Sequence, residues 1–285
     1  MTKKIYKNDL ERIDAAWEKL APMLNEPEEI PVRKLKPWFN KKIIAAAAML
    51  ILMSTIGLWF LKGQNAEVQY LTKYGQTLRV LLPDSSVVML NGNSRLSYRK
   101  EWAKDGDREV KVDGEAYFSV KHTRSHQRFF VRMPDQLSVE VLGTEFNIST
   151  RNHDTRVVLN SGKIDFHMEG LPDQQTRIVQ MKPGDLVEYQ SNKKSYTKRI
   201  VDPAIYSSWK TDRLVFDKTP LKEVLNTLRN TYGLEIEVEN PTMLDMNLSG
   251  SAPTTNVDIL IQALSATFNI NFIKKGDTLI VTNAP

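Results

Sequence analysis

Hydrophobic residues fall into four successive patterns along the chain. Near the N-terminus Leu10, Ile13, Trp17, Leu20 and Leu24 recur at steps of three, four, three and four, which places them on one face of a short amphipathic helix. Asn8 or Asp9 is placed to cap its start, and Pro22 limits it to about residue 21. Next, nothing charged stands between Lys42 and Lys62, and the apolar run from Ile43 to Leu61 is 19 residues long. As a helix that is roughly 28 Å, close to the hydrocarbon thickness of a bilayer.

From about Tyr74 to Gln190 the pattern turns to short alternating runs. Val110 and Val112 precede Asp113-Gly114, and Ala116, Phe118 and Val120 follow with the same parity. Val139 and Val141 lead to Gly143, then Phe146 and Ile148; Val157 and Leu159 lead to Ser161-Gly162, then Ile164, Phe166 and Met168. Asn91-Gly92, Asp105-Gly106 and Pro183-Gly184 supply further turns. Many short strands at this spacing predict an antiparallel all-β sandwich or a β-solenoid.

The fourth pattern is a repeat. Residues 220–238 can be laid over residues 256–274 at an offset of 36, so that Leu221, Val224, Leu225, Leu228 and Tyr232 fall on Val257, Leu260, Ile261, Leu264 and Phe268. Each set is the apolar face of a helix. Gly233 and Asn269 coincide where a left-handed cap is expected, and each precedes an alternating strand, Leu234-Ile236-Val238 or Ile270-Phe272. With Leu214 to Phe216, Leu248 to Gly250 and Thr278 to Thr282 as further strands, the prediction is one small sheet with two helices, a pair of βαβ-like units.

Charge orients the apolar run. Arg33, Lys34, Lys36, Lys41 and Lys42 precede it, whereas Lys62 is the only base in residues 62–71, so the N-terminus is expected in the cytoplasm. Trp38 and Phe39 before the run, with Trp59 and Phe60 at its end, suit the two interfaces. The expected organisation is therefore a single-pass membrane protein. A tail occupies residues 1–42, the transmembrane helix 43–61, a linker 62–73, the all-β domain 74–200 and the small α/β domain 201–285. The net charge of +5 divides as +3 for residues 1–42 and +2 for residues 62–285, so most of the excess is the cluster beside the membrane. No basic face with interleaved aromatics suggests nucleic acid. The chain has no cysteine, which excludes disulfides, thiolate catalysis and cysteine metal sites.

Catalytic patterns are weak. There is no Gly-rich phosphate loop, His-Glu-x-x-His helix or Gly-x-Ser-x-Gly elbow. His122 and His126 stand four apart but in a loop between strands, Ser191 and Lys194 share a polar turn, and Asp105, Asp107 and Glu109 lack the rest of a calcium ligand set. The lone tail helix cannot bury its own face. It lies on the membrane, pairs with a second copy, or fits a groove on a cytoplasmic protein with Trp17 as anchor.

The words "LPDSSVVMLNGNSRLSY", "REVKVDGEAYFSV", "RFFV", "VEVLGTEFNIS" and "KPGD", followed by "LVFDKTPLKEVLNTL" and "LSGS", resemble a FecR-type anti-sigma factor of the Bacteroidetes kind. The resemblance runs from about residue 74 to 283. It implies an inner-membrane protein with a cytoplasmic N-terminus and a periplasmic C-terminus. The tail would bind an extracytoplasmic-function (ECF) sigma factor through Leu10, Ile13, Trp17, Leu20 and Leu24. The C-terminal module, similar to the short domain of secretins and TonB-dependent receptors, would meet the signalling domain of an outer-membrane TonB-dependent transporter of siderophore or glycan. Leu214, Val215, Phe216, Leu248, Ser249 and Gly250 are the expected docking region, by strand addition. No cofactor and no small-molecule substrate are implied. Some family members cut themselves at a similar Gly-Thr peptide, which makes Gly143-Thr144 a candidate for self-cleavage; the plainer reading is a glycine bulge between strands. Ser85 stands where the family has glycine, and a tail of about 42 residues is short for it. The rival from another class is a membrane-anchored periplasmic scaffold with no cytoplasmic client.

Overall fold

The computed structural model describes residues 3–24, 45–55, 67–103, 106–169, 176–254 and 256–283. The chain forms two units, residues 1–58 and 59–285.

In the first unit, α1 (Lys3–Leu24) starts five residues before Asn8 and runs through Pro22. Neither Asn8 nor Asp9 caps it, and the proline falls in the last turn, where it forgoes one hydrogen bond back along the helix, which ends two residues later. Residues 45–55 form a second helix, α2, whose side chains are exposed. Among the described residues no helix is long and apolar enough to cross a membrane. The two ends of the 19-residue apolar run, its aromatic flanks and the basic cluster lie outside the described residues.

Among the described residues of the second unit, fourteen strands come first: β1 (Glu67–Leu71), β2 (Leu78–Leu81), β3 (Val87–Leu90), β4 (Arg95–Arg99), β5 (Arg108–Asp113), β6 (Glu115–Ser119), β7 (Phe129–Met133), β8 (Leu137–Val141), β9 (Glu145–Arg151), β10 (Asp154–Ser161), β11 (Ile164–Met168), β12 (Arg177–Met181), β13 (Asp185–Gln190) and β14 (Ser195–Ile200). They form two seven-stranded sheets, ordered β1-β4-β5-β7-β8-β11-β12 and β14-β13-β10-β9-β6-β3-β2. Neighbours are antiparallel except β5 and β7. The inward side chains of both sheets, among them Leu96, Val110, Val131 and Phe166 from one and Val88, Phe118, Phe146 and Val157 from the other, make a single core. Phe118 and Phe146 stack at its centre, 5.0 Å apart. The architecture is thus the sandwich, not the solenoid, because antiparallel ladders exclude the solenoid's parallel coils.

Most of the glycine turns are not hairpins. Asn91-Gly92, Asp113-Gly114, Gly143, Ser161-Gly162 and Pro183-Gly184 all lie where the chain leaves one sheet for the other. Gly114 has φ +99°, and a Cβ there would stand 2.6 Å from the Ser94 hydroxyl. The hairpins within a sheet use other residues in the left-handed region, Asp135-Gln136 between β7 and β8 and Asn152-His153 between β9 and β10. One boundary needs correction. Residues 67–71, read as linker, are the edge strand β1, because a five-residue strand with one neighbour carries too short an alternation to stand out.

The C-terminal module contains α3 (Pro203–Tyr206), β15 (Arg213–Pro220), α4 (Leu221–Tyr232), β16 (Glu235–Val238), β17 (Asn247–Pro253), α5 (Val257–Phe268), β18 (Ile270–Lys275) and β19 (Thr278–Asn283), with 3-10 turns at Ser208–Thr211 and Pro241–Asp245. Gly233 and Asn269 end α4 and α5 in the left-handed conformation, φ +74° and +53°, as the repeat predicts. The Asn256 side chain caps α5. The strands, however, do not form one sheet of βαβ units. The strand before each helix pairs with its repeat counterpart, β15 antiparallel to β17, while β16 and β18 flank β19 in a separate sheet. Two copies of a strand–helix–strand unit thus meet through their first strands, their second strands lie on either side of β19, and one core unites them.

Candidate functional site

Three places carry the residues expected to act. On α1, Leu10, Ile13, Trp17 and Leu20 are 58, 53, 59 and 51% exposed. An uncovered face of this composition is unfavourable in water and asks for a partner. Leu24 ends the helix, and its side chain lies outside what the structure describes.

In the C-terminal module, Phe216 and Leu248 point into the core, and Phe216 meets the edge of the Phe268 ring at 6.1 Å. Leu214 packs partly against the same core, so these three anchor the sheet and do not offer themselves to a partner. Val215 (37% exposed) and Ser249 face outward, beside the half-exposed Gly250. The β15–β17 sheet has two strands only, so β17 has one edge with no strand beside it among the described residues. The Val215 N–H leaves the ladder and donates to Ser208 Oγ at 3.1 Å. Its cross-strand partner Ser251 therefore turns its own N–H and C=O to the opposite, open edge.

Gly143 and Thr144 form the crossing from β8 to β9. A ladder bulge is not what holds the glycine there: a Cβ on Gly143 would stand 2.6 Å from His122 Cβ. Thr144 exchanges both backbone hydrogen bonds with Val120, at 3.2 and 3.0 Å, and its buried hydroxyl donates to the Lys163 carbonyl at 3.0 Å.

The weaker catalytic patterns resolve into structure. His122 Nε2 and His126 Nδ1 lie 2.8 Å apart, bonded to each other, and among the described residues no three metal-ligating side chains gather. Ser191 Oγ donates to Asp135, and the Ser191–Lys194 segment is the β13–β14 hairpin. Asp107 is gripped by Arg128 at 3.0 and 2.8 Å, and Glu109 by Arg132 at 3.2 Å; Asp105 lies outside the described residues.

Sequence reasoning missed the junction between sandwich and module. Arg151 donates Nη1 to the Asn230 carbonyl at 2.7 Å and Nη2 to that of Gly92 at 2.6 Å. Burial holds its guanidinium below the ordinary value, against the pull of Glu115 and Asp113. Arg156 approaches Glu223 at 3.9 Å, and Lys210 Nζ lies 3.8 Å above the Tyr117 ring. A polar cleft of about 720 Å³ opens between these elements, bordered by Asn147, Arg156, Trp209 and Glu223. A strand-end arginine gives no sign of such a role in the sequence, since its partners are carbonyls.

Comparison with known proteins agrees with this architecture. Residues 68–165 match the family described as FecR protein, and residues 213–281 match the family described as FecR, C-terminal. Two crystal structures of a protein designated an anti-sigma factor from Parabacteroides distasonis ATCC 8503 superpose with a TM-score of 0.64 at 23% identity. They cover 77% and 76% of this chain and 100% of their own. No curated protein matches the chain. The first match runs from within β1 to within β11 of the sandwich and the second from β15 to within β19 of the module; together they span more than half of the chain, which belongs to the FecR family.

Proposed function

We propose that the chain is a single-pass inner-membrane anti-sigma factor that relays a signal from an outer-membrane TonB-dependent transporter to a cytoplasmic ECF sigma factor. The output is transcription of genes for siderophore or glycan uptake. The observation that carries this reading is the bare apolar face of α1, with Trp17 at its middle. A sigma factor groove is the occupant that a FecR anti-sigma factor calls for, and helix-in-groove binding uses this spacing of anchors. The open edge of β17 supports the outer end of the relay, where the transporter's signalling domain adds a strand. The 19-residue apolar run and its basic flank support the membrane span between the two.

The test is capture of the sigma factor by the full-length chain in detergent, with Trp17→Asp as the paired variant. Loss of a buried aromatic anchor costs about 2 kcal/mol or more, roughly a thirtyfold drop in affinity. Equal capture by both proteins, or capture by neither, would leave the scaffold without a cytoplasmic client as the better reading.

A further inference from the structure

The C-terminal end of α4 sits in a socket of the sandwich, at the point where β1 joins it. The Thr231 carbonyl accepts the Gly75 N–H at 2.7 Å. Gly92 lies so close to the same oxygen that a Cβ there would stand 2.4 Å from it. The Tyr74 ring covers Gly233, where a Cβ would meet it at 2.8 Å, and the Tyr232 ring covers Gly75. Arg151 closes the socket by binding the Asn230 and Gly92 carbonyls with one guanidinium. The last carbonyls of a helix have no partner within it and carry the negative end of its dipole. A buried cation is the complement they need.

The same socket holds the end of β1. Thr72 follows that strand directly. Its N–H donates to the Ser94 carbonyl at 2.9 Å, its hydroxyl to the Asn91 carbonyl at 2.6 Å, and it accepts the Ser94 N–H at 2.9 Å. The Asn93 N–H donates back to the Lys73 carbonyl at 3.1 Å. Residues 72–75 thus fasten β1 with their first half and grip α4 with their second. Beyond these bonds β1 is an edge strand, paired among the described residues with β4 alone, its side chains alternating between exposed and half-buried.

We infer that Arg151 and Gly92 form a latch through which the seating of α4 decides whether β1 stays in its sheet. A load on the C-terminal module then reaches the segment that leads back toward the apolar run, and β1 is the element that yields. The inference goes beyond the relay reading and stands on these contacts alone, whichever partner loads the module.

Hydrogen exchange of the full-length chain at graded denaturant tests it without any substitution. The ladder amides of β1 and the amides of the last turn of α4 are expected to exchange through one shared opening, with the same dependence on denaturant. Separate openings, with β1 fraying at its own lower cost, would overturn the latch. Arg151→Met and Gly92→Ala supply the second arm. Each is expected to speed exchange in β1 about tenfold or more, with Phe146 and Ile148 in the sandwich core unchanged. Opening of the α4 end with β1 as protected as before would also overturn it. Arg151→Lys, which keeps one donor, is expected to fall between.

Discussion

Arg108 donates to the Leu142 carbonyl at 3.2 Å, binding residues 34 positions apart. The same guanidinium, almost wholly buried, donates to Asp84 at 2.5 Å and to the carbonyls of Lys121 and Gln127 at 2.9 and 2.6 Å. One side chain therefore ties the β2–β3 hairpin, the loop after β6 and the crossing before Gly143. Removing it strands a buried carboxylate. Arg108→Met is expected to destabilise the sandwich by about 3–5 kcal/mol, and Arg108→Met with Asp84→Leu by much less. Urea unfolding of the three proteins measures both.

The purified chain is expected to remain in one piece at Gly143-Thr144. Attack on the Gly143 carbonyl requires the Thr144 hydroxyl to lose its proton, and that proton is directed at the Lys163 carbonyl, an amide oxygen too weakly basic to take it. Intact mass after prolonged storage checks this, since fragments meeting between Gly143 and Thr144 would restore self-cleavage.

Ser85 adopts φ +69° in the β2–β3 hairpin. A side chain there costs about 1–2 kcal/mol that glycine escapes, partly offset by glycine's freer unfolded chain. Ser85→Gly is expected to raise stability by about 0.5–1 kcal/mol, or roughly 2 °C in the melting temperature.

Ser251→Pro tests the open edge of β17. The lost N–H points away from β15, so no ladder bond is broken. Binding of the transporter's signalling domain is expected to fall about tenfold or more, with the melting temperature nearly unchanged. Undiminished binding would place the docking surface elsewhere.

Asp185 predicts an acid limit. Burial would raise its pKa, but the Lys182 N–H and the Lys198 ammonium, each at 2.8 Å, outweigh it and hold the carboxyl below its ordinary value. A group whose folded pKa lies below its unfolded one stabilises fully above the unfolded value of about 4, and loses that contribution as pH falls through the folded value. The stability advantage of the wild type over Asp185→Asn is therefore expected to be constant from pH 5 to 7 and to shrink below about pH 4. Urea midpoints across that range decide it.

What the sequence conveyed depended on how local the cause was. Val110, Val112, Ala116, Phe118 and Val120 face one core, and that parity is visible within a dozen residues. The caps at Gly233 and Asn269 and the helix faces between them were legible for the same reason. Which sheet a strand joins was not legible: Asp113-Gly114 reads as a turn whether it folds a strand onto its neighbour or carries it across the sandwich. Nor was the pairing of β15 with β17, which depends on the repeats meeting each other. Arg151 was the least accessible, because its partners lie 59 and 79 positions away and are backbone oxygens that every residue type provides.

The division of labour between turns also dictates where the chain tolerates a change of length. A crossing must span two sheets packed about 10 Å apart and fit a backbone already in place, as Gly143 fits against His122. A hairpin such as Asp135-Gln136 is exposed and can grow outward without moving either strand, giving up at most the hydrogen bonds its tip accepts from Ser191 and Glu169. Insertions that separate one relative from another therefore belong at the hairpin tips. A tag or reporter placed at Asp135-Gln136 leaves the sandwich intact, and the same insertion at Gly143 does not.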